Sequence, residues 1–360
     1  MINPSTKNDL KGTLNKYLKT TTPGIQYLVI DKHRTIFEFA GGWSDIQNKK
    51  TMSLNTTLMA YSMTKTFTAL AILQLAQNGK LHLDDPIREY LPNCPYSENI
   101  TIRQLISHSS GIPNPIPLRW VHLAEAQENF DEHAALAKVL QKNSRLSFKP
   151  GSKYAYSNIG YWLLGEIVEE VTKHAYITYV SDFILNLISL QQQKMTFVIP
   201  DLANHAKGYL GKYSMMNLLK GLITDGNLWG SYEGKWIQVR NHYVNGPAFG
   251  GLVGSVQSFA CFLQNQLQEN SSLLNPEFKE LFYREQKNNL GGAIGMTLGW
   301  HIGNLHGVRY FFKEGGGGGF HSEMRIYPTK QFASVIMVNS TEFNSNVSLS
   351  NLDKTFLETQ

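Results

Sequence analysis

The feature that most restricts how this chain can fold is the segment 63–78, in which Lys65 is the only charged residue. A helix that is apolar nearly all round has no hydrophilic face to turn towards solvent, so it must be buried on every side. Gly79 follows at the position where many helices end in a left-handed conformation. The segment therefore predicts a central helix around which the other elements pack.

Segments with the character of β-strands lie near both ends of the chain. They are 24–30, 35–40, 308–313, 320–327 and 332–339. Gly41 and Gly42 are expected to end the second strand, because paired glycines usually mark a turn. An amphipathic helix with Leu10 and Leu14 on one face precedes these strands, and a further helix is expected after Ser345. The sequence thus predicts an antiparallel sheet built from both chain ends.

Between these ends the pattern changes to helical stretches separated by proline and glycine clusters, such as 112–117. We therefore predict an α+β fold in which residues 1–80 and 299–360 form the sheet domain. Residues 81–298 are predicted to form a mostly helical insertion, with the active site in the cleft between the two parts.

Charge and hydropathy exclude several classes of function. The net charge of +5 is spread thinly, without a basic stripe that carries interleaved aromatics, so nucleic-acid binding is not expected. No apolar run reaches the length of a membrane span. The amino terminus lacks the apolar core of a signal peptide. The chain as it stands is expected to be soluble and cytoplasmic, or periplasmic or secreted if a signal peptide has been removed.

The segment Ser62-Met63-Thr64-Lys65 stands at the start of the predicted buried helix. Residues three apart share one face of a helix, so the Ser62 hydroxyl and the Lys65 amine come within hydrogen-bonding reach. A buried lysine that loses its proton can activate a serine hydroxyl as a nucleophile. The unpaired N–H groups at the helix amino end can stabilise an oxyanion. We therefore interpret Ser62 as the catalytic nucleophile and Lys65 as its proton partner.

Two later motifs follow in order, Tyr156-Ser157-Asn158 and Lys313-Glu314-Gly315. The order Ser-x-x-Lys, Tyr-x-Asn, Lys-x-Gly resembles that of the penicillin-recognising serine hydrolases. The resemblance is greatest to the subgroup with class C β-lactamases, D-Ala-D-Ala carboxypeptidases and related esterases. The segments 100–111, 250–253 and 318–320 are also similar to this family, so the resemblance covers roughly residues 10 to 355.

The resemblance implies a β-lactamase/transpeptidase-like fold and assigns roles to several residues. Tyr156 would relay the proton between Ser62 and the leaving group, and Asn158 would bind Lys65 and the substrate amide. A second Tyr-x-Asn begins at Tyr243, but Tyr156 is favoured because an apolar helix follows it. We interpret Ser62, Lys65 and Tyr156 as catalytic.

The late strand carries the remaining predicted contacts with substrate. Side chains alternate along a strand, so Lys313 and Gly315 are expected to face the site and Glu314 the other way. The backbone N–H groups of Gly316 and Ser62 are expected to form the oxyanion hole together. The family usually has hydroxyl residues where this chain has Glu314 and Gly316. Their absence weakens the assignment of a substrate with a free carboxylate.

Other candidate sites are not supported by the sequence. The glycine run 315–319 leads into a strand and lacks the lysine and hydroxyl residue of a phosphate loop, so no nucleotide is expected. His108 is interpreted as structural, because the chain has no Gly-x-Ser-x-Gly elbow. The histidines form no metal-binding motif, and neither a metal nor another cofactor is predicted. Cys94 and Cys261 are interpreted as thiols, although the sequence leaves their pairing open.

The predicted function is a serine hydrolase that acts through an acyl-enzyme on an ester, amide or lactam bond of a small molecule or peptide. Hydrolysis of D-peptides or β-lactams is one alternative, supported by the Tyr-x-Asn motif and by Lys313. A carboxylesterase or acyl transferase is another, favoured by Glu314 and Gly316. A penicillin-binding sensor with little turnover is the third.

Overall fold

The computed structural model describes residues 3–96, 99–117, 119–188, 195–223 and 226–358. Its helices are α1 Pro4–Thr20, α2 Thr64–Gln77, α3 Ile102–Ile106, α4 Glu132–Lys142, α5 Asn158–Thr172, α6 Tyr176–Val180, α7 Met215–Ile223, α8 Pro247–Gly250, α9 Val256–Leu267, α10 Pro276–Tyr283 and α11 Ser345–Glu358. Its strands are β1 Gly24–Asp31, β2 Thr35–Asp45, β3 Lys50–Thr51, β4 Leu58–Met59, β5 Val121–Leu123, β6 Gly208–Gly211, β7 Trp229–Glu233, β8 Trp236–Val239, β9 His242–Val244, β10 Val253–Gly254, β11 His301–Leu305, β12 Val308–Gly317, β13 Phe320–Tyr327 and β14 Phe332–Val338.

Seven strands form one antiparallel sheet in the order β11-β12-β13-β14-β1-β2-β3. The pairing of β14 with β1 joins the late strands to the early ones, so the two ends of the chain share a single sheet. The predicted fold class, an antiparallel sheet flanked by helices, is confirmed.

Helices cover both faces of this sheet, which explains why β1 is apolar along nearly its whole length. Ile25, Tyr27 and Val29 on one face of β1 pack in the cluster that contains residues of α1 and α11. Leu28 and Ile30 on the other face join the larger core, which includes α2, α5 and α9. A strand that is buried on both faces needs no polar alternation.

Helix α2 is the predicted central helix. Every residue from Thr64 to Leu75 is buried. The helix ends with Gly79 at φ +64°, where the N–H of Lys80 donates to the carbonyl of Leu75 at 2.9 Å. This left-handed end is the Schellman arrangement that glycine permits.

Gly41 and Gly42 do not end the second strand as the sequence predicted. Strand β2 continues to Asp45, and both glycines pair with β1. Gly42 has φ +77°, and a Cβ there would lie 2.1 Å from the carbonyl oxygen of Pro23. These glycines allow close approach of two backbones within the sheet instead of a reversal of the chain.

The segment 81–298 contains small sheets as well as helices. Strands β6, β8 and β7 form a three-stranded sheet, and β5 pairs with β9. Helix α9 lies in this segment but packs against the main sheet, where the N–H of Val256 donates to Gln26 Oε1 at 3.0 Å. The division into two domains stays a prediction. Among the described helices, none is long and apolar enough to cross a membrane.

Candidate active site

Ser62 lies in a single 3₁₀ turn, Tyr61–Met63, immediately before helix α2. Its side chain is half-buried, and the residue stands at the amino end of the helix. Tyr61 adopts φ +46°, an unusual conformation for a residue with a bulky side chain. Such conformations persist where the surrounding structure enforces them and are frequent at functional sites. The backbone thus holds Ser62 at a sharp bend where the helix begins.

Two polar side chains converge on the Ser62 hydroxyl. The Nζ of Lys65 lies 3.0 Å from Ser62 Oγ, and the Tyr156 hydroxyl donates to the same Oγ at 2.7 Å. Both distances are those of normal hydrogen bonds. The structure therefore brings together the three residues predicted to be catalytic. Tyr243, the rival tyrosine, instead accepts the N–H of Ile199 at 2.9 Å.

Lys65 is completely buried and is fixed by two further hydrogen bonds. Its Nζ donates to Asn158 Oδ1 at 2.7 Å and to the carbonyl oxygen of Phe249 at 2.6 Å. Burial holds the pKa of Lys65 well below its ordinary value of 10.5, and the nearby Lys313 lowers it further. A lysine with a lowered pKa is partly neutral, and its amine can accept a proton from Ser62.

Tyr156 is half-buried, and this burial raises the pKa of its hydroxyl above the ordinary value of 10.0. The side chain is thus a phenol that donates a proton and not a phenolate. The ring of His108 lies 4.4 Å from the Tyr156 ring, while His108 Nδ1 accepts the N–H of Ser157 at 3.1 Å. His108 therefore supports the backbone and the ring next to the site, as expected of a structural residue.

Lys313 is buried beside two tyrosines of the site. Its side chain is 0% exposed, and its Nζ lies 5.7 Å from the ring centre of Tyr156 and 5.6 Å from that of Tyr161. No hydrogen-bond partner for this Nζ occurs in the part of the chain that the structure describes. Burial lowers the pKa of Lys313 to about 7. The amine of Lys313 thus lies next to the two tyrosine rings, and the residue is not among those that line the cavity.

The glycines of β12 allow this strand to pack directly against the 3₁₀ turn Tyr61–Met63. A Cβ on Gly315 would lie 2.0 Å from the carbonyl oxygen of Ala60, and one on Gly317 would lie 2.3 Å from the Tyr61 ring. A Cβ on Gly316, between them, would have the ring of His321 as its nearest neighbour, at 3.4 Å. Glycine is therefore required at 315 and 317 by close contact, whereas residue 316 has room for a methyl group.

Replacing Gly315 by alanine is expected to destabilise the protein by about 1–3 kcal/mol, the usual cost of overpacking, and to impair acylation of Ser62. The added methyl group meets a backbone oxygen and must push the strand away from the turn. Gly316→Ala on the same strand is the matched control, with an expected loss of stability below about 1 kcal/mol, since a methyl group meets only ordinary contacts. Chemical denaturation of both variants measures the difference, and equal losses would contradict this account.

Two histidines next to the glycine run that begins in β12, His242 and His321, are held by hydrogen bonds of their own. His242 Nδ1 pairs with the carbonyl of Arg240 at 2.8 Å, and its Nε2 lies 2.7 Å from the Tyr61 hydroxyl. His321 Nε2 lies 2.6 Å from Glu314 Oε1. Although burial opposes it, the hydrogen bond with Glu314 raises the pKa of His321. Glu314, which stands where the family has a hydroxyl residue, is thus hydrogen-bonded to His321.

A cavity of about 390 Å³ opens beside these groups. Ser62, Asn158 and the glycines 316–318 line one side of it. Most of the other lining side chains are apolar or aromatic, among them Trp120 and Trp229. Ser62 is therefore reached from a pocket large enough for a small organic molecule.

Several features of the site were not found from sequence. The carbonyl of Phe249 that binds Lys65 could not be singled out, because every residue carries a carbonyl, although the neighbouring segment 250–253 was noted. The positive φ of Tyr61 could not be predicted either, because tyrosine has no preference for that conformation.

A group of potential metal-binding side chains, His133, Glu166 and Glu169, lies on α4 and α5 and is separate from the residues that line the cavity. Cys94 and Cys261 form no disulfide with each other.

An antiparallel sheet flanked by helices, with this group of residues at the amino end of the central helix, defines the fold class of the penicillin-recognising serine hydrolases. The chain matches the family model described as Beta-lactamase over residues 10–352, and it belongs to that family. The predicted resemblance is confirmed.

Several known proteins are similar to this chain in sequence or in fold. Protein flp of Staphylococcus aureus strain MW2 is 34% identical over 180 residues, which is 49% of this chain and 35% of the relative. The chain thus matches only about a third of that protein's length. The octameric penicillin-binding protein homologue from Pyrococcus abyssi superposes with a TM-score of 0.80 at 23% identity, covering 98% of this chain and 77% of that one. The D-amino acid amidase from Ochrobactrum anthropi SV3 also gives 0.80, at 17% identity, covering 98% and 99%.

Proposed function

We propose that this chain is a serine hydrolase that forms an acyl-enzyme on Ser62. The observation that carries the proposal is the convergence of the Lys65 amine and the Tyr156 hydroxyl on Ser62 Oγ, at 3.0 and 2.7 Å. A nucleophile within hydrogen-bonding reach of a base, which is itself oriented by a third group, is the signature of covalent catalysis. Asn158 is that third group, since it binds Lys65 at 2.7 Å.

In the first half-reaction, Ser62 Oγ attacks the carbonyl carbon of the substrate while the neutral Lys65 amine takes the hydroxyl proton. The new C–O bond converts the carbonyl into a tetrahedral oxyanion. We assign the N–H groups of Ser62 and Gly316 as donors to this oxyanion, because they stand at a helix start and on the adjoining strand. When the intermediate collapses, the bond to the leaving group breaks, and the leaving group takes a proton from Tyr156 or Lys65.

In the second half-reaction, water replaces the leaving group. The water oxygen attacks the acyl carbon and its proton passes to the Lys65 and Tyr156 pair, which returns a proton to Ser62 Oγ as the bond between the acyl carbon and Oγ breaks. The products are a carboxylic acid and the free Ser62 hydroxyl. Each step moves one proton over a hydrogen-bond distance, as general acid–base catalysis requires.

Esters and amides without a free carboxylate are the proposed substrates, in preference to D-peptides with a carboxylate terminus and to β-lactams. Lys313, the cation predicted to line the site, is completely buried beside the Tyr156 ring and is not among the residues of the cavity wall. The hydroxyl residues that the resemblance assigns to holding a free carboxylate are replaced by Glu314, whose own carboxylate is paired with His321, and by Gly316. The activity of the D-amino acid amidase, whose fold is similar, supports tests with amides as well as esters.

Labelling with a fluorophosphonate reporter tests this function. Ser62 Oγ is expected to displace fluoride from phosphorus, forming a stable adduct with one phosphonyl group per chain. Intact mass spectrometry measures the stoichiometry, and peptide mapping locates the label. The same protein labelled in denaturant is the control and is expected to stay unmodified, because activation of Ser62 depends on the folded site. Absence of an adduct in the folded protein, or an adduct on another serine, would overturn the proposal.

A further inference from the structure

The cavity beside Ser62 is lined mostly by apolar side chains. Its volume is about 390 Å³, and large apolar side chains from several elements form its far wall. These are Trp120, Leu228, Trp229, Val239, Val244 and Phe249. A pocket of this composition gains free energy by removing apolar surface from water.

The lining carries no net charge. Among the described residues that form the cavity wall, none is Asp, Glu, Lys or Arg. Burial lowers the pKa of His242, which keeps this ring neutral. His321 is paired with the carboxylate of Glu314, so the charges of these two groups offset each other. A charged group that entered this cavity would lose its hydration without gaining a counterion, which costs a large free energy.

The position of the cavity relative to the proton donors decides which part of a substrate it receives. Ser62 and Asn158 line the cavity, whereas Tyr156 and Lys65, which also flank Ser62 Oγ, do not. A leaving group must depart towards the side chain that protonates it. Because the two proton donors are not part of the cavity wall, we assign the leaving group to their side of Ser62 and the acyl group to the cavity.

We infer that this cavity is an acyl-binding pocket for uncharged apolar groups, so that the substrate class is esters or amides of medium-length aliphatic or aromatic carboxylic acids. The inference rests on the proposed acyl-enzyme function and adds the identity of the acyl group. Burial of each additional methylene group is expected to raise kcat/KM by about fourfold until the pocket is filled. Replacing the terminal methyl by a carboxylate reverses this gain.

Nitrophenyl esters of acetate, butyrate and hexanoate, together with the monoester of adipate, test the inference. Adipate has the same chain length as hexanoate but ends in a carboxylate. Rates are divided by the uncatalysed hydrolysis rate of each ester. Hexanoate has four more methylene groups than acetate, so at about fourfold per methylene it is expected to exceed acetate by about 250-fold when all four are buried, and to exceed adipate by about 100-fold.

Two matched variants on helix α7 test whether this cavity causes the preference for hexanoate over adipate. Met216 is half-buried and lines the cavity, whereas Leu218 on the same helix is 83% exposed and does not. Met216→Lys introduces a cation into the pocket and is expected to reduce the preference for hexanoate over adipate at least tenfold. Leu218→Lys is expected to leave that preference unchanged.

The outcomes separate the two proposals. Acylation of Ser62 by all four esters at similar relative rates would overturn the acyl-binding pocket and leave the acyl-enzyme function standing. An equal effect of Met216→Lys and Leu218→Lys would likewise overturn the pocket. No acylation by any ester, combined with no fluorophosphonate adduct, would overturn the function itself.

Discussion

Ser62→Ala is expected to abolish covalent labelling and to lower ester turnover by about 10⁶-fold, the loss typical when a serine hydrolase loses its nucleophile. The substitution removes the one oxygen on which Lys65 and Tyr156 converge. No neighbouring hydroxyl is held by both groups in the part of the chain that the structure describes. Steady-state hydrolysis of a nitrophenyl ester and intact mass spectrometry measure the two effects.

The control for this experiment is Ser152→Ala, which removes a hydroxyl from an exposed residue. It is expected to leave turnover within about twofold of the original protein, as surface substitutions usually leave structure unchanged. The unfolding temperature of Ser62→Ala should stay close to that of the original chain, because the half-buried hydroxyl contributes little to the core. Full turnover by folded Ser62→Ala would assign the activity to another residue.

Lys65→Met is expected to reduce kcat/KM by about 10²–10⁴-fold, the usual contribution of a general base. Methionine preserves much of the shape of the buried side chain but cannot accept a proton. Lys65→Arg adds a second comparison, because arginine keeps the positive charge and is never deprotonated in proteins. Comparable losses in both variants would identify proton acceptance, and not charge, as the function of Lys65.

The same residue is expected to set the dependence of activity on pH. Only the neutral amine accepts a proton, so kcat/KM should rise with pH through the pKa of Lys65 and fall as that amine becomes protonated. Because burial lowers this pKa, the rise is expected below the ordinary lysine value of 10.5. Lys80→Met, at an exposed residue just after the same helix, is the control and should retain the profile. An unchanged profile in Lys65→Met, measured on its residual activity, would contradict the assignment.

The main sheet and the central helix were predictable because their side chains obey strong rules of burial. The segment 63–78 has almost no polar face, and the strands at both ends of the chain show β-rich composition. Glycine pairs carry less information, since glycine serves both turns and close packing. This ambiguity explains why Gly41 and Gly42 were assigned to the end of a strand when they lie within β2.

The site was predictable to the extent that it depends on motifs. The motif order placed Ser62, Lys65 and Tyr156 together, and their contacts agree with that arrangement. The position of Lys313 was not predictable, because alternation along a strand says which face a side chain takes but not what covers that face. In the structure, the Nζ of Lys313 lies 5.7 Å from the ring centre of Tyr156 and 5.6 Å from that of Tyr161. Such contacts between distant elements are absent from any local pattern.

The pairing of β1 with β14 has a consequence for when the candidate site is completed during synthesis. The ribosome completes Ser62 and Lys65 early, whereas β12 and the strands that hold it in the sheet come much later in the chain. Contacts between residues so far apart in sequence form slowly, since a long loop must close first. A nascent chain thus carries Ser62 without the strand that packs against its turn. The complete candidate site is expected to form only after β14 has been synthesised.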